Sequence, residues 1–366
     1  MSAARLLLPF CDDSTLIFAR RMRDVLRESA PGSQVTLGYY LPEQALSPRQ
    51  LKTLLPDADF IEFDKNSLLQ AVESGEYSAI ITSRVYSPLA NALKTPAFKN
   101  LRHRAQVISF LGGLDFFPER GYANRIPCDG VFLFPRSDIK DFTEYAAIQA
   151  AKNSRLSVPL VGFGHPTFLE PSGGTPADLA ARKDIYFFAQ AISPLTCRGR
   201  LHVLEVIVAL AEAYQDRTVW IKLRHLPDEN TRHLHREKYD YTTLLQRAFP
   251  DAPTNLKLTA CTMDEAMQNA ALGITCTSTA AIDLVREGLP TMIYLDYVDN
   301  YMDPLAAGMR RIFRKSGLVT SLDDVLHLRT NAPDPAWVEQ FFCPRDLGAR
   351  VIAMIDELQS RGAASG

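Results

Sequence analysis

Short unbroken apolar runs alternate along this chain with amphipathic stretches whose apolar residues recur at helical spacing. A run such as RLLLPF at 5–10 has the pattern of a strand buried on both faces, and the polar-striped stretch that follows has the pattern of a crossover helix. On this basis strands are predicted at 5–10, 34–40, 58–63, 78–83, 106–110, 130–134 and 158–163. Helices are predicted between them at 15–28, 48–55, 65–73 and 138–152. Alternation at this interval predicts parallel strands joined by helices.

A second alternating series opens with a strand at 184–190, then a helix at 200–213 and a strand at 218–223. It continues through 255–297, where strands at 255–260, 272–276 and 291–295 enclose a helix at 264–271 and another that begins after Thr277, Ser278 and Thr279 and is stopped by Gly288 and Pro290. Between the series lies GHPTFLEPSGGTPADLAARK, rich in Pro and Gly and without a sustained apolar period. The expected organisation is a Rossmann-like domain at 1–164, a linker at 165–183 and a second Rossmann-like domain at 184–340, with a cleft between the two. A helix at 345–360, striped by Leu347, Val351, Ile352, Ile355 and Leu358, is expected to return to the first domain, so that 341–366 forms a tail to it, disordered from 362. A length of 366 residues suits two domains, each with its own core.

Composition narrows the classes. With 46% apolar and 22% charged residues, and 40 basic against 42 acidic side chains, the chain has the profile of a soluble globular protein with no bias toward nucleic acid. The clusters Arg20-Arg21-Met22-Arg23 and Arg310-Arg311-Ile312-Phe313-Arg314-Lys315 suit either a solvated helix face or peripheral contact with an anionic membrane. Six cysteines lack CxxC spacing, so neither a zinc site nor a disulfide framework is indicated, and a reducing cytoplasmic setting is expected. His233 and His235 lie in a charged stretch with no third ligand at a recognisable spacing, and no metal is expected.

The candidate chemistry gathers where strands hand over to helices, the edge at which open parallel sheets bind ligands. Thr277, Ser278 and Thr279 can cap a helix or, with its free N–H groups, hold a phosphate. Asp283 falls one turn behind Thr279, at a distance that suits a ribose. The segment RTVWIKLRHLP delivers Lys222, Arg224 and His225 to a strand end, and Gln190, Ser193 and Arg198 occupy the loop after the first strand of the second series. In the first series Asp12 and Asp13 follow the opening strand, either as helix cap or as a base. Gly112 and Gly113, with Asp115 beside them, form a loop that a ligand could approach closely.

The segments CDDS at 11–14, RGYANRIPCDGVFLFPRSDIKDF at 120–142, SPLTCRGRLHVLE at 193–205 and SGLVTSLDDV at 316–325 resemble a bacterial family of GT-B glycosyltransferases. The resemblance implies an α/β GT-B fold, two Rossmann-like parallel-sheet domains facing a cleft. It further implies an inverting, metal-independent transferase without a cofactor, at work in cell-surface polysaccharide synthesis, and the expected setting is the cytoplasm, with the inner face of the membrane as the option that the basic clusters raise. The implied donor is a CMP-activated nonulosonic acid of the sialic, pseudaminic or Kdo type, and the implied acceptor a glycan or glycoconjugate. Such enzymes use a His-Pro pair and a Ser/Thr pair around the CMP phosphate, matched here by His225-Leu226-Pro227, which carries an inserted leucine, and by the intact Ser278-Thr279. Asp13 matches the aspartate before Ser in the family pattern, which makes it the preferred base, and Asp283 stands where related proteins commonly carry a glutamate. A UDP- or GDP-hexose donor, a sugar-nucleotide epimerase and a non-catalytic binding protein are the alternatives.

Overall fold

The structure, a computed structural model, describes residues 4–56, 59–112, 118–153, 156–170, 175–191, 193–232, 236–296 and 312–364. It divides into two compact units, one made of residues 1–170 and 339–366 and the other of 171–338.

In the first unit the chain runs β1 (Arg5–Phe10), α1 (Asp13–Ser29), β2 (Gln34–Tyr40), α2 (Pro48–Leu54), β3 (Phe60–Phe63), α3 (Lys65–Glu73) and β4 (Ala79–Thr82). It continues through α4 (Ser87–Leu93), α5 (Pro96–Lys99), β5 (Gln106–Phe110), α6 (Pro118–Arg125), β6 (Gly130–Leu133), α7 (Asp138–Lys152) and β7 (Leu160–Phe163). The strands form one parallel sheet in the order β3-β2-β1-β4-β5-β6-β7. The central strand β1 buries Leu6, Leu7, Leu8 and Phe10, as a strand covered on both faces must. Sheet order reverses between β1 and β4, so the loops after these strands diverge and leave a crevice at the carboxyl edge.

The second unit runs β8 (Asp184–Phe188), α8 (Cys197–Ala213), β9 (Val219–Lys222), α9 (Tyr241–Ala248), β10 (Leu256–Thr259), α10 (Met263–Asn269), β11 (Ala270–Thr275), α11 (Ala280–Arg286) and β12 (Thr291–Tyr294). After it come β13 (Val319–Thr320), α12 (Leu322–Leu326) and α13 (Pro335–Phe341), and α14 (Leu347–Ala364) belongs to the first unit. Its sheet, also parallel, has the order β10-β9-β8-β11-β12-β13, with the reversal between β8 and β11. Residues 264–271, predicted as one helix, divide instead: Ala270 caps α10 and opens β11 directly, where it is buried in register with Asp184. A sheet partner outweighs helical propensity there.

Two further boundaries differ from expectation. Residues 165–170 are not loose: Leu169 bridges Cys343, the Glu170 N–H donates to the Cys343 carbonyl and the Cys343 N–H to Phe168. At the other end α14 runs through Gly362 to Ala364 instead of fraying at 362, because alanines extend a helix readily and the Arg361–Glu357 pair lies on the preceding turn. Helix α14 packs closely on α1, and a Cβ at Gly348 would stand 2.8 Å from the Val25 carbonyl oxygen. Gly164 has φ +135°, and a Cβ there would meet the Cys343 sulfur at 2.7 Å, so this turn requires glycine on both counts.

The amino edge of the first sheet is closed by charge. Asp129 receives both terminal nitrogens of Arg104 at 2.7 Å, the Val107 N–H at 2.8 Å and Lys99 at 2.9 Å. Burial alone would push the Asp129 carboxyl up, but these partners outweigh it and hold it below the ordinary range. His165, by contrast, is buried as a neutral ring against Phe18, Phe110, Phe134 and Phe168, with centroids at 4.7–6.3 Å, and its Nδ1 accepts from the Thr167 N–H. Burial, with the charge of Arg21 adding to it, pushes its pKa from 6.5 down to about 3 against a small opposing effect of Leu111. An unfolded chain takes up this proton below about pH 6.5 and the native state only near pH 3, so stability from this site is full above the first value and lost as pH falls through the window. His165→Asn is expected to be less stable at neutral pH yet to lose less stability between pH 6.5 and 3, as measured by urea unfolding across that range. An unchanged pH slope would count against the neutral imidazole.

Candidate active site

The sheet of the second unit brings Gln190, Lys222, Arg224, His225, Thr277, Ser278 and Thr279 to one edge, Lys222 as the last residue of β9 and the others on the loops after β8, β9 and β11. Gln190 joins two of these loops. Its Oε1 accepts the Thr277 N–H at 2.9 Å and the Thr277 hydroxyl at 3.0 Å, across the reversal between β8 and β11. An N–H can be answered only by the oxygen of the amide, so the Gln190 NH2 is directed away from Thr277 as a donor. Below this contact the Thr275 hydroxyl donates to the Phe188 carbonyl at 3.2 Å, which joins the same two strand ends.

Thr277 is fully buried, and its hydroxyl is committed to Gln190. Ser278 and Thr279 are half-buried. The Ser278 Oγ accepts the Ala280 N–H at 3.1 Å, while Thr279 has helical backbone angles and makes no side-chain cap bond. The local cap is therefore Ser278. Asp283 is buried, with Arg286 Nη1 at 3.5 Å from its carboxylate, so that carboxylate is engaged within its own helix.

At the end of β9 and on the loop after it Lys222 and Arg224 are half-buried, and the Lys222 Nζ donates to the Leu223 carbonyl at 3.3 Å. His225 is only 2% exposed, with its Nε2 3.1 Å from Asn230 Oδ1. The Asn230 amide is oriented by its bonds to the backbone of Glu237, so Oδ1 is an acceptor and the proton of a neutral His225 sits on Nε2. Ser193 is buried within the β8 loop, and Arg198 is exposed on the first turn of α8, whose cap is Thr196.

Sequence reasoning missed Arg200. This side chain is among the largest fully buried ones and lies behind the β8 loop. Its Nε donates to the Pro194 carbonyl at 2.8 Å, Nη2 to the carbonyls of Gln190 and Ala191 at 2.9 and 2.6 Å, and Nη1 pairs with Glu237. Its guanidinium also stacks on Tyr241 at 4.8 Å. The partner carboxylate lies 37 positions away, at no spacing that a motif could reveal.

At the corresponding edge of the first unit, Asp12 caps α1. Its carboxylate accepts the Thr15 N–H at 2.8 Å and its own N–H donates to the Thr15 hydroxyl oxygen at 3.0 Å, a complete capping box. Asp13 is 9% exposed on the first turn, and its Oδ1 accepts the Ser14 N–H at 2.9 Å. Burial first, and then the Asp12 charge, push the neighbouring Cys11 thiol up to about 12, which makes it no nucleophile. Arg125 ties the loops here with bonds to the carbonyls of Ser83, Phe110 and Gly121. Gly112 is exposed, and a Cβ there would meet only the Ser83 carbonyl oxygen at an ordinary 3.4 Å, so the fold itself does not demand glycine. Gly113 and Asp115 lie outside the described residues, as do His233, His235, Arg310 and Arg311. Among the described residues no group of three His, Cys, Asp or Glu side chains is placed to hold a metal, and no helix is long and apolar enough to cross a membrane.

Residues 12–358 match the model of a family described as "Putative glycosyltransferase (DUF6716)". The chain belongs to this glycosyltransferase family. No curated protein matches it. Among solved structures it is similar to a UDP-N-acetylglucosamine 2-epimerase of Listeria monocytogenes, described there as putative, at a TM-score of 0.59 and 10% identity, covering 97% of this chain and 96% of that one. It is also similar to S. aureus MnaA in its structure with UDP, at 0.57 and 9%, covering 97% and 96%. The UDP-GlcNAc 2-epimerase of Neisseria meningitidis bound to UDP-GlcNAc matches at 0.55 and 11%, covering 96% and 100%. At these identities the likeness shows the fold, two Rossmann-like α/β units of the GT-B class.

Removing Gln190 leaves the buried Thr277 N–H without its acceptor. Gln190→Ala is expected to cost the protein about 1–3 kcal/mol, the usual penalty for an orphaned buried donor, in chemical denaturation. Gln190→Glu, which keeps an oxygen toward Thr277, is expected to lose less.

Proposed function

We propose that the carboxyl edge of the second unit's sheet binds a nucleotide-sugar donor and that the enzyme transfers its sugar to a glycan acceptor. The observation that carries this reading is the Gln190–Thr277 contact across the β8/β11 reversal, with Lys222 and Arg224 at and just beyond the end of β9. A reversal of strand order is where such sheets take nucleotides, and an anionic leaving group needs positive charge and N–H donors beside it. In this reading Lys222 and Arg224 offset the phosphate charge. Ser278, Thr279 and the backbone at the start of α11 donate to its oxygens, and the Gln190 amide and the exposed Arg198 contribute from the β8 side. His225 supports the loop from beneath through Asn230, Ser193 shapes the β8 loop, and Asp283 braces α11 through Arg286.

Transfer with inversion forms a bond from the acceptor oxygen to the anomeric carbon as the bond to the nucleotide phosphate breaks on the opposite face. The acceptor proton must go to a base, and Asp13 is assigned that role, with Asp12 occupied as a helix cap. No metal is needed for the leaving group where two cations and several N–H donors serve it, so transfer is expected to survive excess chelator. The favoured donor is a CMP-activated nonulosonic acid. Two of the fold's relatives were solved with UDP or UDP-GlcNAc, which favours a second reading, a UDP-sugar as donor or as the substrate of an epimerase.

Thermal unfolding with CMP, UDP and GDP separates these readings. A nucleotide at a hundred times its Kd should stabilise the native state by about 2.7 kcal/mol, and only the base of the true donor should do so. Lys222→Ala should weaken that nucleotide. Asp13→Asn should leave its affinity within about threefold while the transfer rate falls roughly a hundredfold or more, the usual loss of a general base. No stabilisation by any of the three nucleotides would overturn the donor site, and isomerisation of the donor with no acceptor present would favour the epimerase.

A further inference from the structure

Arg200 joins three loops that the proposed donor site uses. From its side chain the contacts run in two directions. On one side Nη2 fixes the Gln190 carbonyl, and the Gln190 side chain holds Thr277 on the β11 loop. On the other, Nη1 pairs with Glu237, whose N–H and carbonyl are held at 2.7 Å by the Asn230 amide, and Asn230 Oδ1 meets His225 on the β9 loop. We infer that Arg200 is a positioning residue for nucleotide binding, setting the loops after β9 and β11 against the loop after β8 through Glu237 and Gln190. This rests on the donor-site reading given above.

The chemistry favours this role over that of a generic buried ion pair. A buried pair returns little stability for the desolvation of two charges, so stability alone gives a weak reason to keep one. Arg200 is 1% exposed and is spent on three loop carbonyls as well as on its carboxylate. Carbonyls of irregular backbone have no strand partner, and a planar fork of donors can satisfy several at fixed angles where an ammonium group cannot. The backbone being fixed is that of Gln190, Ala191 and Pro194, on the loop that also carries Ser193.

The test compares wild-type protein with Arg200→Lys and Glu237→Gln, by amide hydrogen exchange and by affinity for the nucleotide that stabilises the wild type. Exchange should quicken about tenfold or more at Thr277 and Glu237, whose N–H groups are bonded to Gln190 and Asn230, with little change in β12, and nucleotide affinity should fall by roughly tenfold or more. Tyr294→Phe, which removes a buried hydroxyl bonded to His202 in the same unit, should leave affinity within about twofold, as expected of an uncoupled site. If Arg200→Lys fails to fold, Glu237→Gln carries the same comparison. Wild-type affinity in the variants, or exchange that rises evenly over the whole unit, overturns the positioning role while the donor site stands. A wild-type protein that binds no nucleotide overturns the donor site, and this role with it.

Discussion

Parallel pairing is the constraint on which this protein's chemistry depends. A parallel strand cannot return through a tight turn, so each strand that leads to another in its sheet does so by a crossover, and within each sheet the carboxyl ends lie along one edge. Where the order reverses, beside β1 and again beside β8, the crossovers part to opposite faces and leave loop backbone without sheet partners. Buried loop backbone must be satisfied by something. In the second unit the donors are Arg200 and the two polar groups of Thr277, the latter on a glutamine side chain, and in the first unit Arg125 does comparable work for the carbonyls of Ser83, Phe110 and Gly121. The candidate sites thus follow from where a parallel sheet cannot complete its own hydrogen bonding.

Much of this architecture is legible in the sequence, because short apolar runs such as those of β1, β4 and β11, recurring between helical stretches, have the pattern of strands covered on both faces. The junction at Ala270 is not legible. Its helical neighbourhood gives no sign that β8 will take the backbone into register. Of the site, the loops were legible and the roles were not. Thr277 reads as a phosphate ligand by position, yet it is fully buried and spends its hydroxyl on Gln190, and His225 reads as a phosphate contact at a strand end, yet it is covered and bonded to Asn230. Position along a strand tells which residues reach the edge. Which of them face inward depends on partners distant in the chain, such as Glu237 for Arg200.

The two edges of the sheets handle charge differently, and the difference bears on function. At the amino edge Asp129 collects Arg104, Lys99 and a backbone N–H, a closed cluster in which each charge is answered and nothing further is needed. At the carboxyl edge of the second unit the buried cation Arg200 is likewise answered, by Glu237 and loop carbonyls. Its field is largely spent before it reaches the edge. On the proposed reading the attraction for an anionic ligand falls to Lys222 and Arg224, which are half-buried, with the exposed Arg198, and these carry their charge at lower desolvation cost than a fully buried cation would. On this reading shape and charge fall to different residues: the buried arginine would fix where the donors stand, and the partly exposed cations would supply the field. A mutation that altered charge alone would move affinity with ionic strength, whereas one that altered the brace would move it at every salt concentration, because a buried network is little screened.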